Sequence, residues 1–262
     1  MHWRDKRVQQ KQQSGSGVTR VNNTCLGTLN NVVSREVLTD PRDRKYYSDI
    51  YRCWPPPWVM ITISTCQLSL YCYYSGHVTW PQLGDSTWSD ISLDSLLVYC
   101  PHRKMEMWRF LSYCLVHSSL WQLVFNLSLQ TVLGLPLEMV HGSARLGLIY
   151  GAGVLAGSLS TSVLDPDTCL IGASGGVYSL MAGHMANIVL NLSTTRYGHT
   201  RLIATLAVAS VEVGVAVYRR YDEDDLSSAP PLSYLAHISG SLAGVTVGLV
   251  ILNNFQQKLW ER

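Results

Sequence analysis

Ser174 stands between glycines in the run Gly172-Ala173-Ser174-Gly175-Gly176, at the head of an apolar stretch. Glycines on both sides allow close backbone approach and leave the hydroxyl exposed. A serine at a helix start also sits beside free backbone N–H groups, which suit a developing oxyanion. Such a hydroxyl is a nucleophile once a base takes its proton. Glycine and serine equally serve helix packing in membranes, so spacing alone leaves both readings open.

Other residues have the chemistry to complete such a site. His237 lies in Ala236-His237-Ile238-Ser239-Gly240-Ser241-Leu242-Ala243-Gly244, where Gly240 and Gly244 form a small-xxx-small pattern for tight helix contact. Gln122 and Asn126 are four residues apart, so their amides share one helix face and could donate to an oxyanion. Their alternative role is as hydrogen-bonding glue between helices.

The elements that must position these groups are apolar. Hydrophobic residues make up 47% of the 262-residue chain and charged residues only 15%, against roughly 25% in a soluble domain. Six apolar stretches, about 58–78, 119–139, 146–164, 174–192, 202–218 and 232–252, approach the roughly 20 residues needed to cross a bilayer. The expectation is an all-α polytopic membrane bundle with six transmembrane helices and a long interfacial loop after the first. That loop, 79–118, carries Trp80, Trp88, Trp108 and Phe110.

Residues 1–57 read as a polar cytoplasmic tail with a juxtamembrane segment, and 58–262 as the membrane domain. Ten of the 20 Lys and Arg precede Trp58, and no apolar core of a signal peptide is present. Acidic residues (Asp85, Asp90, Asp94, Asp165, Asp167 and Asp222 to Asp225) gather in the opposite loops. The basic tail therefore sets both termini in the cytoplasm.

This topology sorts the histidines. His184, ten residues beyond Ser174, is ~15 Å farther along the same helix. His141 and His199 fall at cytoplasmic ends, while His77 and His102 border the loop. His117 and His237 remain at the depth of Ser174. The fourth and sixth spans enter from the same side, so Ser174 and His237 can meet there, and an ionisable residue inside a span is a functional candidate.

Composition excludes other classes. A net charge of +2 without a basic-aromatic stripe gives no reason to expect nucleic acid. The seven cysteines (Cys25, Cys53, Cys66, Cys72, Cys100, Cys114, Cys169) show no CxxC pair or zinc spacing. No metal, cofactor or disulfide is expected from them.

Taken together, Gly172 to Gly176 with Tyr178, the Ala236 to Gly244 run, and His117 followed by Asn126 resemble the rhomboid intramembrane serine proteases. Trp108-Arg109 fits as well. So does Glu138-Met139-Val140-His141-Gly142-Ser143-Ala144-Arg145, which is similar to that family's ExxxGxxR signature. The likeness spans roughly residues 100 to 255 and is closest to the animal secretory-pathway branch.

The resemblance implies Ser174 as nucleophile and His237 as general base, with Tyr178 packed against the imidazole. Asn126 and the Ser174 N–H would line the oxyanion hole. It also implies a multi-pass protein of the Golgi or plasma membrane that cuts single-span proteins such as growth-factor precursors, releasing their outer domains. Its partners would be transmembrane substrates and the lipid bilayer.

Two departures stand out. Gln122 occupies a position where many members carry histidine, and animal members usually have a seventh span beyond the sixth. A second reading is therefore a weak or inactive relative that binds membrane clients and regulates their trafficking. A transporter would require internal repeats or paired broken helices, which are not evident. Glu212, within the fifth span, is read either as part of that helix's gate function in the family or as a side chain reaching the interface.

Overall fold

The computed structural model describes residues 56–75, 95–190, 192, 197–221 and 234–252, besides isolated positions 28, 32 and 35. The expected cytoplasmic tail, its juxtamembrane segment, the first part of the long loop and the acidic run after Tyr221 lie outside the described residues. Among those residues the fold is all-helical, with one isolated β-bridge between Tyr99 and Leu170.

The helices are α1 (Trp58–Ser75), α2 (Arg109–Ser112), α3 (Leu120–His141), α4 (Ser143–Leu164), α5 (Ser174–Leu190), α6 (Gly198–Tyr221) and α7 (Tyr234–Ile251). Each expected apolar stretch overlaps a long helix among the described residues. Among the described residues, α3, α4 and α7 are long and apolar enough to cross a membrane. The other long helices are shorter or more polar: α5 has 17 residues, and α6 includes Arg201 and Glu212.

α5 lies at the centre, with most of its residues buried. A helix apolar on every side has no solvent face to offer, so it is enclosed by others. α4 and α7 press against it closely enough to require glycine. A β-carbon on Gly240 would fall on the Gly175 carbonyl, and one on Gly244 on the Ser179 carbonyl. Removing side chains at these points lets backbones touch, which is how helices gain contact where water is absent.

The ends are tied by polar groups. The Glu138 carboxylate accepts from the Val59 and Met60 N–H groups, 2.8 Å each, and from the Ser143 hydroxyl at 2.6 Å. It thereby satisfies orphan donors in the first turn of α1 and complements the positive helix end. Gly142, at φ 91°, makes the turn from α3 into α4 in a conformation that favours glycine. This end of the bundle is opposite Ser174, because α4 carries the chain across before α5 begins.

Midway along α3, a π-helical turn at Gln130–Gly134 carries Gln130 into a buried polar hub. Gln130 and Gln67 exchange amide hydrogen bonds (2.9 and 3.2 Å), and Tyr150 donates to Gln130 at 3.2 Å. Such a turn inserts a residue into the helix and is common near functional sites.

The described part of the long loop, 95–118, is folded. Arg109 is buried, and its guanidinium donates to the carbonyls of Ser95 and Val98 and to Glu106, the last at 2.7 Å. Trp108 donates to the Leu96 carbonyl at 3.1 Å. Met105, Met107, Trp108 and Leu111 stay exposed on the outside, as an interfacial segment requires.

One expectation is corrected here. Cys100 and Cys169, 69 residues apart, are joined by a disulfide. The Tyr99–Leu170 bridge beside them is closed by two backbone hydrogen bonds of 2.7 and 3.3 Å. No spacing rule links two cysteines so far apart; only the fold brings them together.

Candidate active site

Ser174 opens α5. Gly172, two residues earlier, has φ 112°, a value that glycine tolerates and other residues avoid. Its N–H donates to the Tyr113 carbonyl at 3.1 Å, and Val177 N–H returns to the Ala173 carbonyl at 3.0 Å. The chain is thus held on both sides of the serine while Ser174 itself stays half-buried. The N–H groups of the first helical turn, which have no partner within the helix, lie at the same place.

His237 lies near the start of α7 and is 3% exposed. Its register follows from the glycine contact, because Gly240, which touches Gly175, is one turn along α7 from His237. The imidazole and Ser174 therefore belong to the same end of the bundle. Tyr178 lies flat on the imidazole, with ring centroids 4.3 Å apart and planes 6° from parallel. Neither ring nitrogen of His237 has a hydrogen-bond partner among the described residues. The Ser174 hydroxyl and the imidazole are accordingly not bonded, a common state before substrate closes such a site.

Gln122 and Asn126 share one face of α3, and Gln122 reaches the segment before Ser174. Asn126 is 3% exposed. The Gln122 carbonyl oxygen accepts from the N–H and hydroxyl of Ser118, 3.0 Å each, and its amide donates to the Ile171 carbonyl at 3.2 Å. A β-carbon on Gly172 would collide with that amide. Gln122 thus clasps the segment leading to Ser174, while its second amide hydrogen leaves a donor at the same place.

The other histidines fall elsewhere. His117 precedes α3, where burial pulls its imidazole down to about 4, partly offset by a hydrogen bond to the Leu115 backbone. His141 hydrogen-bonds Asn187 near the opposite end of the bundle.

Two site features escaped the sequence reading. Tyr113 donates to the Val154 carbonyl at 2.8 Å and lies where a β-carbon on Gly175 or Gly157 would be. It forms the floor under the Ser174 turn, yet no periodicity marks a loop tyrosine for that role. The second feature is the disulfide. His102 lies within 4.8 Å of both its sulfurs, but sulfurs bonded to each other are not thiolate ligands for a metal.

Comparison with known proteins agrees in kind. The Rhomboid domain family matches residues 104–254. The chain is 41% identical over 233 residues to mouse Rhomboid-related protein 2, covering 88% of this chain and 76% of that protein. It is 39% identical over 232 residues to human Rhomboid-related protein 3, covering 88% of this chain and 57% of that one. With Inactive rhomboid-related protein 2 of Caenorhabditis elegans it shares 31% identity over 204 residues, 77% of this chain and 56% of that protein. The chain thus spans about three quarters of the first and little more than half of the other two.

Proposed function

This chain belongs to the rhomboid family and is a multi-pass membrane protein, and from that premise we propose that it is an intramembrane serine endopeptidase using Ser174 and His237. The carrying observation is the His237 imidazole, buried against Tyr178 beside the helix start that presents Ser174. Ser174 attacks the scissile carbonyl while His237 takes its proton and returns it to the leaving amine. The Ser174 N–H, Asn126 and the remaining Gln122 donor receive the oxyanion. Water then hydrolyses the acyl-enzyme. No third acid is assigned, so packing on Tyr178 orients the base.

The substrates in this reading are single-span proteins whose helices unwind at the membrane edge, with growth-factor precursors as the class suggested by the resemblance. Sidedness rests on two features. A disulfide persists in oxidising compartments, and Cys100–Cys169 shares the Ser174 end of the bundle. The Glu138 end, where α1 begins after the basic tail of residues 1–57, is then cytoplasmic. In this reading the protein belongs to the secretory pathway, at the Golgi or plasma membrane as the resemblance implies, and residues 58–262 are a six-span protease domain.

A second reading is a weak or inactive client-binding relative. It is favoured by Gln122, whose amide already holds Ile171, and by the similarity to a relative named inactive. A serine-reactive fluorophosphonate decides between the two. The protease reading expects labelling at Ser174, with Ser174→Ala losing both labelling and cleavage. Cleavage that survives Ser174→Ala overturns it.

A further inference from the structure

Between α1, α4 and the loop segment around α2 runs a groove of about 490 Å³, within the roughly 300–1,000 Å³ usual for ligand sites. Val59 and Ile63 of α1, Leu111 of α2, and Gly147, Gly151 and Val154 of α4 line it. Small residues in membrane helices ordinarily mark close helix contact. Gly153 and Gly157 obey that rule, since a β-carbon on either would strike a neighbour. Gly147 and Gly151 do not. A β-carbon on Gly151 would meet nothing within 4 Å, and one on Gly147 only Val59, at an ordinary 3.6 Å. The side chains missing at these two positions leave the groove open.

Its walls offer little to a polar ligand. Trp108 donates to the Leu96 carbonyl, Ser112 to the Leu97 carbonyl at 3.0 Å, and Tyr150 to Gln130 at 3.2 Å. The matching occupant is hydrocarbon. The surface beside the groove already faces lipid, because α4 is apolar and long enough to cross a membrane. On it Leu148, next to Gly147, and Leu155, one turn past Gly151, are both exposed. The width excludes a second helix. Near Gly147 the groove narrows almost to contact with Val59, whereas a helix with its side chains is about 10 Å across. Left empty, the walls would lack contact atoms on one side, a loss that packed proteins avoid.

We propose that this groove holds one acyl chain of a bilayer phospholipid as a fixed part of the fold. From Gly147 to Val154 the groove follows α4 for about 10 Å, less than the ~15 Å of one leaflet's hydrocarbon, so a single chain fills it. The acyl chain backs the segment from Trp108 to Leu115, which carries Tyr113 under the Ser174 turn. The site does not depend on the protease reading, since none of its lining residues takes part in that chemistry.

The test uses the full chain and two measurements. In the first, the protein is purified in detergent, which strips loosely held lipid, and weighed by native mass spectrometry. The wild type should retain one phospholipid per chain, and Gly151→Leu, whose side chain fills the groove, should lose it. In the second, the protein sits in nanodiscs containing a phosphatidylcholine with a diazirine partway along one acyl chain. Illumination should give adducts on the groove walls, 108–115 and 147–154, and on the exposed Leu159 and Val163. Gly151→Leu of unchanged melting temperature should lose the first set and keep the second. Gly151→Ala, whose methyl enters open space, takes its place if leucine disturbs folding, and should reduce the same adducts. A wild type that retains no phospholipid overturns the proposal. So do groove adducts that are equal in the wild type and a folded Gly151 variant. A second copy of the chain retained in place of lipid, and released by the same variant, overturns it in favour of a contact between copies.

Discussion

Tyr178 and His237 come from different helices, yet their rings lie 6° from parallel with centroids 4.3 Å apart. The imidazole has no hydrogen-bond partner of its own among the described residues, so the tyrosine face and the surrounding helices restrict its tilt. Ser174, His237 and Tyr178 thereby form a unit whose geometry depends on the α5–α7 glycine contact.

Tyr178→Phe keeps the ring and should retain most activity. Tyr178→Ala removes it and should slow turnover by about 10²-fold, as expected when a catalytic group is misplaced by ~1 Å. Initial cleavage rates on protein of matched melting temperature test this. Full activity in Tyr178→Ala would show that the stack does not orient His237.

Gln122→Ala removes the clasp between Ser118 and Ile171. The expected stability cost is about 1 kcal/mol, a typical hydrogen bond within a membrane bundle. If its remaining donor also meets the oxyanion, turnover falls as well, and Gln122→His restores the rate. Melting temperature and rate measured on the same three proteins separate the two contributions. An unchanged rate with lowered stability would leave Gln122 a purely structural clasp.

Cys100→Ser with Cys169→Ser should lower stability by roughly 2–4 kcal/mol, since the bond closes a long loop. Activity should fall too, because the bridge anchors the segment entering Ser174. Thiol labelling of the wild type under non-reducing denaturing conditions provides the direct check. Free thiols at both positions would refute the bridge and weaken the sidedness drawn from it.

Gly240→Ala forces a methyl onto the Gly175 carbonyl, and both partners are helix backbone that cannot step aside locally. Overpacking of this kind costs about 1–3 kcal/mol. It should also separate His237 from Ser174, so fluorophosphonate labelling should fall even where folding persists. Labelling beside a thermal melt tests the coupling, and unaltered behaviour in both would mean that α7 does not seat on α5 as described.

The sequence alone carried the elements and the chemistry-bearing residues. Apolar runs marked each long helix to within a few residues, because covering a backbone in lipid demands a local stretch of apolar side chains. The Gly172 to Gly176 and Ala236 to Gly244 runs marked where helices meet closely, because an absent side chain is itself visible in sequence. Residues that act through distant partners were not legible. Gln67, Gln130 and Tyr150 are separated by up to 83 residues yet share one hydrogen-bond hub. Tyr113 under the Ser174 turn, the Cys100–Cys169 bond and the Glu138 cap on α1 are of the same kind. Each joins segments whose mutual distance is set by how the whole bundle packs, and helical periodicity carries information only about neighbours a turn or two away. The tertiary structure alone decided that Gln122 clasps Ile171, because an amide accepts and donates equally well in either role until its partners are in place.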